Sequence, residues 1–433
     1  MAGLPPSGGG FAKRARAAQL AKAHRGGQGV TEGWPLHEAG RLACVPSPLR
    51  RHPAGDDSPV RASFIELFFD LVFVLAVTQL SSVLIEDLTV GGAAETLFLL
   101  LTAWWAWIYT TWMTNWFDPE TRPVRAILLV GMLASLFGAT AIPEAFDDRA
   151  GLFVVGYVGI QLVRNAFMVL ATTRSDPLHA PLVRIFVWSA WVSMIWLAGA
   201  LVEGDARIAV WIVALVLDYA GPLAGHWGPG LGRSRPADWD LVPSHFSERI
   251  GLFVIIALGE TIVAAGVTAG DLEMNATRIA AVVVSFGIAV AFWWLYFDYH
   301  AEDAARELES REAERGRLGR ALSYLHVLMV AGIIVAAVAA ELVIAHPGEE
   351  LHGNDLLPLA AGPALYLAGS LVFKASVLHA QWRQRLVAVA AVLAVTVSGT
   401  FVPALAAWSL VLVVLVALVF YETLELRRTA SAM

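Results

Sequence analysis

The sequence predicts an all-α fold: a polytopic membrane helix bundle of about twelve transmembrane helices. Three observations carry that prediction. Of the 433 residues, 57% are hydrophobic and only 15% charged, with a mean hydropathy of +0.63, whereas soluble domains run about 45 to 50% apolar and about 25% charged. From Phe64 onward, apolar runs of bilayer length, ~20 residues each, alternate with short polar breaks. The Lys and Arg residues collect in every second break, as the positive-inside rule expects of a multi-pass protein. This composition leaves no room for a large soluble catalytic domain. A net charge of -7 and a pI of 5.9 argue against nucleic acid as a partner, because a backbone-binding surface needs a basic excess. One cysteine, Cys44, excludes an internal disulfide framework and a Cys-based zinc site.

Residues 1–62 come first. They are rich in Gly, Pro, Ala and Arg, hold no apolar run and carry nine of the thirty Lys and Arg, so they cannot bury enough surface to fold alone. A disordered cytoplasmic tail is expected there. No charged stretch in it is followed by a short apolar core and a small-residue cleavage site, so the first span is expected to act as its own insertion signal. The transmembrane domain follows over 63–428. Its spans fall at roughly 64 to 85, 93 to 113, 124 to 143, 150 to 172, 181 to 202 and 206 to 225, then 245 to 269, 277 to 300, 321 to 345, 356 to 378, 384 to 402 and 404 to 425. Pro358, Pro363 and Pro403 punctuate the last three. With the tail inside, 26 Lys and Arg fall at the cytoplasmic side and 3 at the outside, and Arg164 alone lies deep within a span. An even number of spans with both termini cytoplasmic is the expectation.

The long polar loop after the sixth span, Gly225 to Pro243, suggests two parallel six-helix halves, about 63–225 and 245–428, because an even number of spans lets both halves enter the membrane in the same sense. Phe64, Glu66 and Val72 align with Phe246, Glu248 and Val254 at a constant offset of 182. Each second helix carries a Trp pair, Trp104-Trp105 and Trp293-Trp294.

Polar residues inside spans mark the candidate site. Ser63 and Glu66 fit a capping box, which gives Glu66 a structural reading beside a functional one. Asp70 shares its helix face and lies ~10 Å into the span at 1.5 Å per residue. A carboxylate at that depth must be protonated or must face an arginine or water. In the seventh span Arg249 and Glu260 stand about three turns apart on one face. Glu260 is read either as a functional charge near the bilayer centre or as a neutral, hydrogen-bonded acid. Gly251 and Gly259 could let a neighbouring helix approach closely. Glu248 and Arg249 could form a local ion pair, and His245 precedes them. No metal is expected, since neither HExxH nor a paired His spacing occurs. In the second span Trp112 and Trp116 read as interface anchors, while Trp104 to Trp107 lie deeper and could pack inside the bundle. At the end of the eighth span Asp298 is a candidate partner for an arginine. Arg164, Asn165, Asp218, Glu341 and Lys374 are further polar residues in or near spans.

The combination of Glu66-Leu-Phe-Phe-Asp70-Leu-Val-Phe-Val, a Trp-rich second helix leading to Asn115-Trp-Phe-Asp118, the string His245-x-x-Glu248-Arg249-x-Gly251-Leu-Phe-Val-Ile-Ile-x-Leu-Gly259-Glu260 and Trp293-Trp-Leu-Tyr-Phe-Asp298 resembles the bacterial low temperature requirement A family over residues 60 to 425. The resemblance implies a multi-pass protein of a bacterial inner membrane, linked to growth at low temperature. The first span is also similar, more distantly, to the Phe-Ser-Asp helix that opens each six-helix repeat of a potassium-channel family and lines its pore. It departs from that motif at Phe69, in place of the serine, and at Phe64, in place of an arginine, and Leu252 stands opposite Asp70 in the second half.

These features point to a transporter of a small solute or ion, with Asp70 and Glu260 as the intramembrane acids that bind a cation or proton. A cation channel is the alternative, as is a non-transporting scaffold or lipid-interacting protein. Enzymatic activity is not expected, for want of a metal-ligand spacing or nucleophile motif, and no cofactor is expected. The expected partners are the lipid bilayer and an unidentified ion or solute, with an oligomer left open.

Overall fold

The computed structural model describes residues 48–49, 60–239, 241–298, 307–311, 314–378 and 382–432; nearly all of the expected tail, and the loop arginine Arg306, lie outside the described residues. Among the described residues there are twelve long helices: α1 (Phe64–Glu86), α2 (Val90–Trp116), α3 (Arg122–Thr140), α4 (Ala150–Leu170), α5 (His179–Ala200), α6 (Gly204–Ala224), α7 (Pro243–Gly270), α8 (Ala276–Tyr296), α9 (Arg315–Ala345), α10 (Leu357–Phe373), α11 (Arg383–Gly399) and α12 (Ala404–Ala432). Each coincides with one predicted span. Extended pairing among them is limited to two isolated bridges, Leu49 with Phe117 and Gly228 with Gly232.

Ten of these helices are long and apolar enough to cross a bilayer, α10 together with the turns that flank it over Gly353–Ser376, with α2 and α11 falling outside that group. In α2 the shortfall is chemical, since Trp, Tyr and Thr fill positions that Leu or Ile would otherwise hold. In α11 it is length. Its 17 residues reach about 25 Å at 1.5 Å per residue, less than the ~30 Å of hydrocarbon. The predicted tenth span is interrupted near its end, where α10 gives way to a π-turn over Lys374–Leu378.

The outer surface of the bundle is apolar, with Leu71, Val130, Val213, Val267, Phe286 and Val413 all exposed. Such a surface belongs against acyl chains. At the other extreme, α9 has 78% of its most apolar stretch buried, as its sequence demands: Val330 to Ala340 is apolar on every face, the mark of a helix with neighbours all round. Small residues set how near those neighbours come. A Cβ on Gly362 of α10 would sit 2.6 Å from the Ala336 backbone nitrogen of α9, and one on Gly156 of α4 would sit 2.7 Å from the Gly138 nitrogen of α3.

The packing order repeats along the chain. In the first half α1 packs on α3, α3 on α4, α4 on α5 and α5 on α6; in the second, α7 packs on α9, α9 on α10, α10 on α11 and α11 on α12. The two halves meet where α1 lies against α7 and α9.

Candidate functional site

The starts of α1 and α7 carry matching pairs of polar side chains. Residues four apart stand one above the other on a helix, which stacks Glu66 over Asp70 on α1 and His245 over Arg249 on α7. The pairs face each other as two rungs. In the first, His245 Nε2 and Glu66 Oε1 are 2.9 Å apart. In the second, Arg249 Nη1 donates to Asp70 Oδ2 at 2.5 Å and Nη2 to Oδ1 at 2.8 Å, a bidentate pair of the strongest kind. All four side chains are buried.

Neighbouring groups complete the ladder. Glu66 Oε2 accepts from the Ser63 backbone N–H at 2.9 Å and from its hydroxyl at 2.8 Å, so the capping limb expected at the start of α1 is formed. From α2, Trp107 Nε1 donates to Asp70 Oδ1 at 2.8 Å, and its ring lies 5.6 Å from the Arg249 guanidinium carbon. Asn115 fixes the imidazole. Its Oδ1 accepts from Val242 N at 2.8 Å, which turns Nδ2 toward the Val242 carbonyl and His245 Nδ1, both at 3.1 Å. Nδ1 is then an acceptor, so the proton of a neutral imidazole sits on Nε2 and points at Glu66. Two carboxylates are thus served by one guanidinium, whose Nε approaches Glu66 Oε1 only to 3.6 Å.

Glu260 is placed differently. It is buried further along α7, and Thr78 Oγ1 of α1 donates to its Oε2 at 2.5 Å. No Arg, Lys or His pairs with it among the described residues. The half-buried Glu341 of α9 lies within reach of its charge.

Two further polar networks are buried in the halves. In the first half, Tyr157 Oη and Trp196 Nε1 donate to Asp218 Oδ2 at 2.7 and 2.8 Å, Gln161 Nε2 donates to Tyr157 Oη at 2.9 Å, and Arg164 donates to Gln161 Oε1. Arg164 and Asp218 are therefore linked through neutral side chains. In the second half, Glu422 of α12 accepts from Lys374 at 3.1 Å and from Arg385 Nε and Nη2 at 2.8 Å each. Among the described residues, no three His, Cys, Asp or Glu side chains converge as a metal site requires.

The family model described as bacterial low temperature requirement A protein matches residues 61–420, a stretch that contains both rungs of the ladder and Glu260. The chain belongs to this family. An uncharacterized protein of Rhizobium meliloti (strain 1021) is 40% identical over 316 residues, covering 72% of this chain and 77% of that protein. No solved structure matches. None of these matches is to a potassium channel, and the likeness of α1 to a pore helix stays a local one. Family and apolar helices together make this low temperature requirement A protein an integral, multi-pass membrane protein.

Of the seven residues singled out from sequence, the fold brings Glu66, Asp70, His245 and Arg249 into one cluster. Glu248 sits at its edge, accepting from Ala62 N at 3.0 Å, and so bonds to the chain before α1. Glu260 is apart from the cluster, and Asp298 is exposed, with no arginine beside it among the described residues. Trp112 and Trp116, expected as interface anchors, also contact protein neighbours: the indole N–H of Trp112 donates to Ser323 Oγ at 3.1 Å, and Trp116 packs on Trp239 at 5.6 Å. The sequence left Arg385 and Glu422 unmarked because charged residues near span ends ordinarily face water. Tyr157 and Trp196, the donors to Asp218, read as ordinary apolar positions in their spans.

Proposed function

We propose that this protein is a transporter of a small cation or of protons, in which Glu260 takes up the travelling charge and the Glu66–His245 and Asp70–Arg249 rungs hold α1 and α7 in register. The observation that carries the proposal is the contrast between the two acids. Asp70 is fully engaged by Arg249 and Trp107, whereas Glu260 is buried with a hydroxyl as its partner and a second carboxylate in range. A buried acid with no fixed counter-charge is competent to take a proton or a cation, and carboxylate and hydroxyl oxygens are the donors hard cations accept.

Position supports the same reading. Thr78 and Glu260 are 182 residues apart, the offset that aligns the starts of the two halves. Residues related by a repeat and in direct contact lie on the axis between the repeats, where transporters built this way hold their ions.

Purified protein in liposomes, assayed over a panel of monovalent and divalent cations with and without a pH gradient, is expected to show flux of at least one cation or of protons. Folded protein with no flux under any condition would favour the scaffold or lipid-interacting alternative. The 26-to-3 distribution of Lys and Arg supports an inner-membrane orientation with both termini cytoplasmic. Reporter fusions at Arg428 and beside Arg311 should both read as cytoplasmic, and a periplasmic signal from either would overturn that topology.

A further inference from the structure

A groove of about 570 Å³ runs between α11 and α12, within the ~300–1,000 Å³ of sites that hold small organic molecules. It shares no lining residue with the ladder or with Glu260. Along α11 it extends from Arg383 to Ala391, about 12 Å at 1.5 Å per residue. The sequence explains the space: Ala388 and Ala391 of α11 and Ala417 of α12 line it, and three methyl groups leave open what larger side chains would close.

The lining is graded from apolar to charged. Val387, Val414 and Leu418 complete the apolar part, while Arg383, Gln384 and Tyr421 gather at one end. Val387 and Ala417 are exposed, as are Val413, Val416 and Phe420 beside them, so the groove opens sideways onto the surface that meets acyl chains. A tyrosine at the charged end suits the level at which hydrocarbon gives way to headgroups.

The charged end has a surplus of positive charge. Arg385 is buried on Glu422 at 2.8 Å, but Arg383, two residues before it, is exposed and pairs with no carboxylate among the described residues. Arg428, seven residues after Tyr421 and so on the same face of α12, is also exposed. The acid on that face, Glu425, accepts from Gln384 Nε2 at 3.4 Å. Two guanidinium groups thus stand against one carboxylate, at the end of the bundle that carries the Lys and Arg excess of the sequence. Basic pockets between helices on that side of a membrane receive anionic headgroups.

We propose that the groove is a site for one anionic phospholipid of the surrounding bilayer, with an acyl chain lying against the alanines and the phosphate paired with the Arg383 guanidinium. A zwitterionic lipid offers the same chain but no net charge to match the mouth. A second copy of this chain is the poorer occupant, because a two-fold interface sets like patches together and would bring a second Arg383 where a counter-charge is wanted. The proposal is independent of transport through Glu260.

The test titrates the full chain in detergent with dioleoyl phosphatidylglycerol and with dioleoyl phosphatidylcholine, which share their acyl chains and differ in net charge, and counts bound lipid by native mass spectrometry. Phosphatidylglycerol should fill a first site at a concentration on the order of fivefold lower than phosphatidylcholine, the factor expected of one basic side chain beside an anionic headgroup. Arg383→Gln should erase that preference. Ala417→Leu, which fills the groove from an exposed position, should weaken the first site for both lipids. Absence of a saturable first site, equal affinity for the two lipids, or wild-type binding in either variant would overturn the proposal. So would a dimer that forms without lipid and is broken by Ala417→Leu, which would make the groove an interface between copies. Should one variant fail to fold, the other variant and the comparison of the two lipids on the wild-type protein still decide.

Discussion

The substitution Asp70→Asn keeps the shape of the side chain but strips Arg249 of its bidentate partner. Removing one member of a buried ion pair leaves the other charge uncompensated, at about 3–5 kcal/mol, so thermal denaturation in detergent should show a large loss. Replacing both Asp70 and Arg249 with apolar residues should recover much of it. Full stability in the single variant would mean that the pair contributes nothing to the fold. His226 supplies a second test at this scale. Burial pushes its imidazole down to about 3, against about 6.5 in an unfolded chain. As pH falls below about 6.5 the unfolded state gains a proton that the fold refuses, so stability drops by up to about 1.4 kcal/mol per pH unit until the folded group titrates as well. His226→Asn should lose less stability than the wild type between about pH 7.5 and pH 5, and equal losses would show that His226 is accessible to protons in the fold.

Helix positions were legible in the sequence because apolar runs of bilayer length have few other uses, and all twelve helices fall on predicted spans. Which faces touch was not legible. Gly251 and Gly259 of α7 were both read as sites of close approach, yet a Cβ on Gly259 would meet nothing within 4 Å, while the Gly362 Cβ would meet Ala336 at 2.6 Å. A glycine in an apolar helix says nothing by itself about its neighbour. Gly362→Ala should therefore overpack the α9–α10 contact and destabilise by about 1–3 kcal/mol. Gly259→Ala should be neutral or stabilising by up to about 1 kcal/mol, because alanine is the better helix former. Denaturation midpoints that rank the two variants the other way would contradict the packing of α9 on α10.

Across the whole molecule, the acids of α1 and the basic pair of α7 were visible as polar residues in spans, and Asp70 was expected to face an arginine or water. Its partner was hidden because Asp70 and Arg249 are 179 residues apart and only the fold joins them. The same distance in sequence hid the difference between Asp70 and Glu260, which look alike as lone acids in apolar helices. Their surroundings separate them into a clamped pair and an acid without a counter-charge among the described residues. The most direct test is flux through Glu260→Gln beside wild-type protein in the same liposomes, with folding verified by thermal denaturation. The amide keeps the size of the side chain and an acceptor for Thr78 but cannot ionise, so a folded, stable protein that has lost the wild-type cation or proton flux is expected. A folded Glu260→Gln protein with undiminished flux would contradict the assignment of Glu260 as the group that carries the charge.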